Sequence, residues 1–581
     1  MTDILEIKNK NLENEKLEEL KEFFRKIKDK LTDEETKRMT LELELIEENI
    51  NESEHYKVLE LLVKALNIKN IEPLSTNVLE LLDRSYELSG FGCRNSCISS
   101  ANILLETEKM LKEEDTSTYE FVSIKGHMAP FMYANEYTKK NFSLLYLYAL
   151  HYSDIISPLV QDKYTSQGIN ASYNLGYGLG KILSKMMINP HKKYIVLMGD
   201  SDLSFGATLE ALMYIKTQNY NNLTLIIDFN RFGFEPRPDG FDTSILKSFF
   251  DKTLEVGESE LRDNIDFKSM LFSFKRGAIF VNTVKEHHKI TLFSAEGLNQ
   301  KHGIKLTKSY GKCIATLNRK YQKELCIFTP DLASRFFLQE NSLSYINTTV
   351  AEALTPILAI SQDKFSAIAT DQKYSTNMIG SILELHKNTG KVLLTLAKSW
   401  DYWGGEANAL NLLNTLPETT VYEACTQEEL SYLLEAHYIY PSYKTIISIC
   451  DVELPVIEFE PKVKEANYLI DNGSKSLVIS FGIATALVHD VAKDLEIDHI
   501  HFARMRLNYD ENLQTKLNEY EHVYLMEYNG KKHGFCEHFL SLYRLKNYTF
   551  KTSKEVIPQM KASEQIKYHG FSEDNLINFL K

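Results

Sequence analysis

Apolar and polar residues alternate in blocks along this chain, and the clearest blocks lie between residues 194 and 232. Residues 194–198 form a continuous apolar run, short enough for a strand that is buried on both faces. Apolar residues then recur at helical spacing over 209–216, and a second apolar run follows at 223–227. This pattern predicts a strand, a crossover helix and a second strand, which is the unit of a parallel sheet.

A polar cluster ends each of the two predicted strands. Asp200 follows the first strand and Asn230 follows the second. Ligands of such sheets bind beyond the carboxyl ends of the strands, and the start of a helix offers backbone amides to an anion. Two oxygen ligands at this position suit a magnesium ion that carries a diphosphate. An Asp that caps the helix and an Asn in a turn would give the same pattern.

The rest of the chain follows similar patterns. Residues 1 to about 90 are rich in Glu, Lys and Leu and predict helices, with an apolar stripe through Leu17, Leu20, Phe23 and Phe24. The apolar run 278–284 predicts a strand that closes the first sheet. Further strands are predicted at 325–329, at 477–481 before a Gly turn and a helix, and at 523–527.

Composition narrows the functional classes. A chain of 581 residues predicts several domains, and 43% hydrophobic with 25% charged residues is ordinary for a globular protein. The net charge of −14 argues against nucleic acid or an anionic membrane as a partner. The N-terminus has no apolar core of signal-peptide length, and no run of 18 apolar residues occurs, so we expect a cytoplasmic protein. Seven Cys predict reduced thiols, and Cys93 and Cys97 lack a second ligand pair for zinc.

The segment from Gly199-Asp200-Ser201 to Asn230 resembles the thiamine-diphosphate motif, in which an Asn follows a Gly-Asp-Gly about thirty residues later. It is most similar to the motif of 1-deoxyxylulose-5-phosphate synthases in the transketolase family. The resemblance implies thiamine diphosphate and Mg²⁺ as cofactors, with Asp200, Asn230 and the backbone carbonyl of Phe232 as metal ligands. Gly199 and Ser201 would contact the cofactor, although Ser201 replaces the second Gly of the motif.

A second match to this family lies in Ser-Ile-Lys-Gly-His at 123–127 and implies that His127 exchanges protons with the substrate. Cys93 stands where the family has another active-site His. The resemblance also places Asn170 and Ser172 near the cofactor, and it makes His302 a candidate for a cofactor or substrate contact. A structural or exposed His is an equally good interpretation of His302.

The segment Val-Ala-Glu-Ala around Glu352 resembles the family's pyrimidine-binding segment. The resemblance implies that Glu352 hydrogen-bonds the aminopyrimidine ring and so helps a weakly acidic carbon to lose its proton. In the family this Glu comes from the partner subunit, which implies a homodimer. Tyr374 would offer a ring face to the pyrimidine in place of the family's Phe. A Glu that only complements a helix dipole remains the alternative.

The acceptor side departs from the family. The Arg-containing segment that grips the acceptor's phosphate falls near residues 447–451, which contain no Arg. A phosphate monoester normally needs such a fork or an equivalent charge, so an ordinary glyceraldehyde-3-phosphate acceptor is in doubt.

The resemblance covers roughly residues 88–581 and implies an α/β fold with a three-domain, transketolase-like architecture of parallel sheets flanked by helices. The implied organisation is a helical N-terminal arm (1–87), a diphosphate-binding domain (88–304), a pyrimidine-binding domain (305–464) and a C-terminal domain (465–581).

The implied activity transfers a two-carbon unit from a 2-oxo donor, pyruvate with decarboxylation, to an aldehyde. Two alternatives stay open: ketol transfer of the transketolase type, and a catalytically silent relative that serves in binding or assembly. A Rossmann dehydrogenase is disfavoured, because no G-x-G-x-x-G follows a first strand with an acidic residue about twenty residues on.

Overall fold

The structure is a computed structural model that describes most of the chain, in two units. Contacts between residues divide it into a first unit, Met1–His288, and a second unit, Lys289–Lys581. The described residues are 17–49, 55–89, 94–112, 118–150, 164–165, 176–233, 243–284, 303–322, 326–330, 332–348, 355–360, 366–384, 392–398, 405–406, 409–439, 444–462, 465–554, 556–557 and 562–581.

The first unit opens with helices, as the sequence predicts. Residues 17–27 are helical, and Leu17, Leu20 and Phe23 of the predicted stripe are buried. They pack in one hydrophobic cluster with residues of the following helices, because each helix carries an apolar face that must leave water. The further helices of this unit are Asp33–Asn49, His55–Ile68, Val78–Ser89, Arg94–Lys112, Ala129–Thr138, Leu144–Tyr148, Gly178–Ile188, Gly206–Thr217, Ser244–Lys247 and Ile265–Phe272.

The sheet of the first unit is parallel throughout and has the order β1-β2-β3-β5-β4 among the described residues. Its strands are β1 (Tyr119–Ser123), β2 (Lys193–Gly199), β3 (Leu223–Phe229), β4 (Lys252–Gly257) and β5 (Gly277–Asn282). Strands β2 and β3 are buried along their whole length, as the two apolar runs predict.

One expectation about this sheet is wrong. The predicted strand at 278–284 is β5, but it lies between β3 and β4 and does not close the sheet. The edge strand is β4, which the hydrophobic pattern missed. The first four residues of β4 are all exposed or half-exposed, so the strand lacks the continuous apolar run that marks a buried strand.

The second unit contains a second parallel sheet with the order β12-β13-β10-β9-β7-β8 among the described residues. Its strands are β7 (Cys326–Thr329), β8 (Tyr345–Asn347), β9 (Ser366–Asp371), β10 (Val392–Lys398), β12 (Thr419–Glu423) and β13 (Lys444–Cys450). The short strands β6 (Gly303–Lys305) and β14 (Glu453–Pro455) pair with each other, and β11 (Gly405–Glu406) pairs with β20 (Val556–Ile557). Flanking helices are Leu306–Tyr321, Thr355–Ile360, Ile379–Glu384, Ala409–Asn414 and Gln427–Ile439.

A third sheet, also in the second unit, has the order β15-β17-β16-β18-β19. Only the edge strand β15 runs antiparallel to its neighbour. The predicted strand, Gly turn and helix are present: β16 ends at Phe481, Gly482 has a φ of 54°, and a helix begins at Ile483. The bounds are β15 (Asn467–Ile470), β16 (Ser476–Phe481), β17 (Asp498–Phe502), β18 (His522–Glu527) and β19 (Tyr548–Thr552), with helices Ile483–Asp494, Glu511–Leu517, Phe535–Leu542, Ala562–Tyr568 and Glu573–Leu580.

Parallel sheets flanked by helices confirm the predicted α/β fold class. The four predicted domain boundaries stay predictions. In the part of the chain that the structure describes, none of the helices combines the length and the apolar character needed to span a bilayer.

Candidate functional site

The predicted metal ligands of the first unit lie at the carboxyl edge of its sheet. Strands β2 and β3 are paired so that Gly199 lies beside Asp228. Asp200 follows directly after β2, and Asn230 is the first residue after β3. The side chains of Asp200 and Asn230 are both buried, with 1% and 8% exposure. The parallel pairing therefore brings together two polar residues that are thirty positions apart in the sequence.

Hydrogen bonds join these residues into one turn. The Asp200 Oδ2 atom accepts a bond of 2.6 Å from the backbone N–H of Arg231, and the Asn230 Oδ1 atom accepts one of 2.9 Å from the N–H of Phe232. The Ser201 hydroxyl donates to the carbonyl of Phe232 at 3.4 Å. We call Asp200, Ser201 and residues 230–232 the oxygen turn. All three predicted ligands belong to it.

The backbone of the oxygen turn explains how the Phe232 carbonyl reaches Ser201. Arg231 has a φ of 61°, in the left-handed region, so the backbone leaves the extended conformation of β3 at this residue. On the other side, a 3₁₀ turn (Asp200–Ser204) separates β2 from the helix that begins at Gly206. The helix therefore does not begin directly after β2, which corrects one detail of the sequence-based expectation.

The donor set of the oxygen turn fits a magnesium ion. It offers a carboxylate from Asp200, an amide oxygen from Asn230 and the carbonyl oxygen of Phe232, all of them hard oxygen donors. Mg²⁺ prefers such ligands and usually shares its remaining positions with substrate phosphates and water. The Ser201 side chain, which replaces the second motif Gly, is directed to the Phe232 carbonyl.

Asn230 is held by a hydrogen bond to a buried ion pair, which the sequence interpretation missed. The Lys125 Nζ atom lies 2.5 Å from Asp228 Oδ2, and both side chains are largely buried. The hydroxyls of Ser99 and Ser100 donate to the same Asp228 oxygen at 2.7 and 2.6 Å. Asn230 completes the group, because its Nδ2 atom donates to Asp228 at 3.1 Å. We call Lys125, Asp228 and the two serines the buried support.

The buried support holds Asp228 in its charged form. Burial alone would raise the pKa of the Asp228 carboxyl, but the Lys125 ammonium and the hydrogen bonds from Ser100 and Thr283 lower it to about 2. The charged Asp228 accepts a hydrogen bond from the amide nitrogen of Asn230. This bond fixes the orientation of the amide, so that its oxygen faces the oxygen turn. The only hint of the role of Asp228 in the sequence was its position two residues before Asn230, at the end of β3.

His127 lies at the same edge of the sheet, in a short 3₁₀ turn (Gly126–Met128) that follows β1. It is half-buried, and its carbonyl accepts a hydrogen bond of 3.1 Å from the Cys97 thiol. Lys125 of the buried support precedes it by two residues. This places His127 at the carboxyl end of β1, the strand that neighbours β2.

The other predicted site residues fall in two groups. Tyr374 lies in the second unit, half-buried in the 3₁₀ turn Gln372–Met378 that follows β9. Outside the described residues lie the predicted contacts Asn170, Ser172, His302 and Glu352, together with Cys93. The assignments of all these residues stay predictions.

The second unit supplies an Arg where the sequence near 447–451 has none. Arg335 is 3% exposed, and its guanidinium contacts Asp451 at 2.7 Å and Asp371 at 2.8 Å. Burial would raise the pKa of Asp451, but Arg335 and Lys305 lower it. Because both contacts are made to buried carboxylates, this Arg serves to neutralise Asp371 and Asp451 within the unit.

Changing Lys125 tests the buried support. We expect Lys125→Met to lower the stability of the first unit by about 3–5 kcal/mol, because the variant leaves the Asp228 carboxylate buried without its cation. The shift of the urea midpoint multiplied by the slope of the transition measures this loss. The double variant Lys125→Met with Asp228→Asn should recover part of it, since the remaining group is neutral.

A matched control for this prediction is Lys185→Met. Lys185 pairs with Glu120 at 2.6 Å, but its side chain is 37% exposed, so we expect a loss below about 1 kcal/mol. Equal losses in Lys125→Met and Lys185→Met would contradict a special role of the buried pair.

Comparisons with known proteins bear on the predicted resemblance. No protein-family model matches the chain. The 1-deoxy-D-xylulose-5-phosphate synthase of Fusobacterium nucleatum is 28% identical over 103 residues, which cover 18% of this chain and 16% of that protein. Human transketolase is 29% identical over 158 residues, or 25% of each chain. The matches thus span about a sixth and a quarter of these curated relatives.

A solved structure completes the comparison. The transketolase from Campylobacter jejuni has 12% sequence identity and a TM-score of 0.42, with 86% of this chain and 99% of that chain covered. The sequence matches confirm that the chain resembles the transketolase family, including its 1-deoxyxylulose-5-phosphate synthases.

Proposed function

We propose that this protein is a transferase that uses thiamine diphosphate and Mg²⁺ to move a two-carbon unit from a 2-oxo donor to an aldehyde. The observation that carries the proposal is the oxygen turn, in which Asp200, Asn230 and the Phe232 carbonyl meet at the carboxyl ends of β2 and β3. The named relatives, a 1-deoxyxylulose-5-phosphate synthase and a transketolase, support the same class of reaction.

The residues of the first unit take distinct roles in this proposal. Asp200, Asn230 and Phe232 would hold the magnesium ion, and Gly199 and Ser201 would lie against the diphosphate. The buried support keeps the Asn230 oxygen directed to the ion, through the hydrogen bond from Asn230 to Asp228. His127 would take or give a proton at a substrate oxygen, which an imidazole does well near neutral pH.

The family resemblance assigns roles to further residues. When bound, thiamine diphosphate supplies a thiazolium carbon that can carry a two-carbon unit. Glu352 would hold a hydrogen bond to the aminopyrimidine ring, and Tyr374 would pack its ring against the same group. Asn170, Ser172 and His302 would contact the cofactor or substrate. A homodimer, in which Glu352 comes from the partner, forms part of the proposal.

We propose pyruvate as the donor, with release of carbon dioxide, and an aldehyde without a strong phosphate requirement as the acceptor. The reason is that Arg335, the Arg placed beside residue 451, is engaged by Asp371 and Asp451. A guanidinium held between two carboxylates offers little net positive charge to an incoming phosphate.

A donor and acceptor assay tests this function. The full-length protein with thiamine diphosphate and Mg²⁺ is incubated with pyruvate and with either glyceraldehyde or glyceraldehyde 3-phosphate. We expect carbon dioxide release that rises with either aldehyde, and a KM for the phosphorylated aldehyde within about tenfold of that for the neutral one. If the protein turned over a ketose phosphate donor with the aldehyde but did not turn over pyruvate, the reaction would be ketol transfer instead. No turnover in protein that has bound the cofactor would identify a silent relative.

A further inference from the structure

A cluster of buried metal-ligating side chains lies in the second unit and takes no part in the proposed function. Cys425 lies two residues after β12, Glu429 lies in the first turn of the helix Gln427–Ile439, and His501 belongs to β17. Their exposures are 1%, 0% and 0%. One potential ligand atom from each of the three side chains lies within 4.8 Å of the others. The cluster joins the sheet of β12 to the sheet of β17.

The distances in this cluster suit a small divalent ion. The Cys425 Sγ atom lies 3.6 Å from His501 Nε2. A tetrahedral zinc ion with bonds of about 2.3 Å to sulfur and about 2.05 Å to nitrogen would place these atoms about 3.6 Å apart. His501 Nε2 and Glu429 Oε1 are 2.9 Å apart. This pair would need to open to about 3.3 Å, which a small rotation of the Glu side chain provides.

Neighbouring groups already orient two of the three ligand side chains. The Nδ1 atom of His501 is 2.6 Å from the Thr485 hydroxyl, which in turn lies 2.7 Å from the hydroxyl of Ser480. Such a partner on the second ring nitrogen is usual for a metal-binding His, because it fixes the tautomer and the ring orientation. The Glu429 Oε2 atom accepts a bond of 2.9 Å from the Cys425 N–H, so Oε1 is the oxygen directed to His501.

The charge of the cluster gives an independent reason for an ion. Among the described residues, the hydrogen-bond partners of the Glu429 carboxylate come from Cys425 and His501, and no Lys or Arg forms an ion pair with it. A neutral His501 leaves this buried carboxylate without a cation, which is costly. A divalent ion bound to one carboxylate and one thiolate would leave the buried site with no net charge.

We propose that Cys425, Glu429 and His501 bind one Zn²⁺ ion as a structural site within the second unit. A set of sulfur, imidazole and carboxylate ligands selects zinc over magnesium, which prefers oxygen alone. Binding replaces the thiol proton of Cys425, which leaves to solvent, with a bond from sulfur to zinc. The fourth position of the ion falls to a water molecule. Three protein ligands with one water molecule also occur at catalytic zinc sites. Because all three side chains are fully buried, we assign this ion a structural role that ties the two sheets together.

X-ray absorption at the zinc edge tests the ligand set directly. The full-length protein is reconstituted with Zn²⁺, freed of excess metal and measured without any substitution. We expect about one zinc per chain, with one sulfur at about 2.3 Å and scattering from one imidazole. Zinc that cannot be retained, or a first shell without sulfur, would overturn the proposal.

Variants assign the sulfur to a residue. In protein loaded with Co²⁺ in place of zinc, we expect a sulfur-to-cobalt charge-transfer band that is present in the unchanged chain and lost in Cys425→Ser. Cys450→Ala is the matched control, because Cys450 is also buried in this unit but lies outside the cluster. A band that survives Cys425→Ser, or that disappears in Cys450→Ala, would contradict the assignment. If Cys425→Ser does not fold, His501→Gln should retain the band with reduced metal content, and an unchanged metal content would count against the site.

Discussion

Replacing Asp200 with Ala is expected to lower the affinity for thiamine diphosphate in the presence of Mg²⁺ by at least about 100-fold. The Asp200 carboxylate is the only charged side chain among the three proposed ligands. Substituting a residue that only hydrogen-bonds to a metal ligand already lowers metal affinity or activity about 10–100-fold, so the loss of a charged ligand should cost more. Its loss also frees the Arg231 N–H, which donates to it at 2.6 Å, and so loosens the oxygen turn. Isothermal titration calorimetry of the full-length variant measures the change.

The control for this variant is Asp263→Ala. Asp263 lies in the same unit at the end of a 3₁₀ helix and is exposed, so its removal should leave the affinity within a factor of about two. An Asp200→Ala protein that binds the cofactor as tightly as the unchanged chain would show that the oxygen turn does not hold the metal. Circular dichroism establishes that both variants are folded.

Replacing Glu352 with Gln is expected to lower turnover by about 10²–10⁴-fold, the usual size of a general acid or base contribution. Glu352 lies outside the described residues, and its role stays a prediction from the family resemblance. An amide of nearly the same shape retains the packing of the carboxylic acid but cannot exchange its proton. Binding of thiamine diphosphate should therefore change by less than about tenfold while kcat falls.

Two measurements separate this role from a structural one. Steady-state kinetics gives kcat, and calorimetry on the same preparation gives the affinity for the cofactor. Glu340→Gln serves as the control, since Glu340 is an exposed residue of the same unit and should leave both values unchanged. If kcat of Glu352→Gln equalled that of the unchanged chain, the assigned role of Glu352 at the aminopyrimidine ring would be wrong.

The part of the site that lies along one stretch of sequence could be predicted well. The two apolar runs predicted β2 and β3 to within two residues at each end, because a strand buried on both faces must be apolar throughout. The meeting of Asp200 and Asn230 follows from the parallel pairing of these strands alone. The spacing of the two runs and their hydrophobicity are sufficient to predict this pairing, since two strands joined by a crossover of this length can be arranged in few other ways.

The support of the site could not be predicted in the same way. Lys125 and Asp228 are 103 residues apart, and no pattern in the sequence shows that β1, which precedes Lys125, lies beside β2. Edge strand β4 was missed because its first residues face water. Cys425 and His501, 76 residues apart, meet only because β12 and β17 belong to neighbouring sheets. Contacts of this kind depend on which elements are neighbours, and a local hydrophobic pattern does not contain that information.

In the proposed function, the oxygen turn binds a divalent ion that also binds the diphosphate of the cofactor. A crystal structure of the full-length protein with thiamine diphosphate and Mg²⁺ tests it most directly. We expect the ion to be coordinated by the Asp200 carboxylate, the Asn230 amide oxygen and the Phe232 carbonyl, at about 2.1 Å from each. A bound cofactor whose metal lies away from these three oxygens, or a turn that stays without an ion at saturating cofactor, would contradict the account.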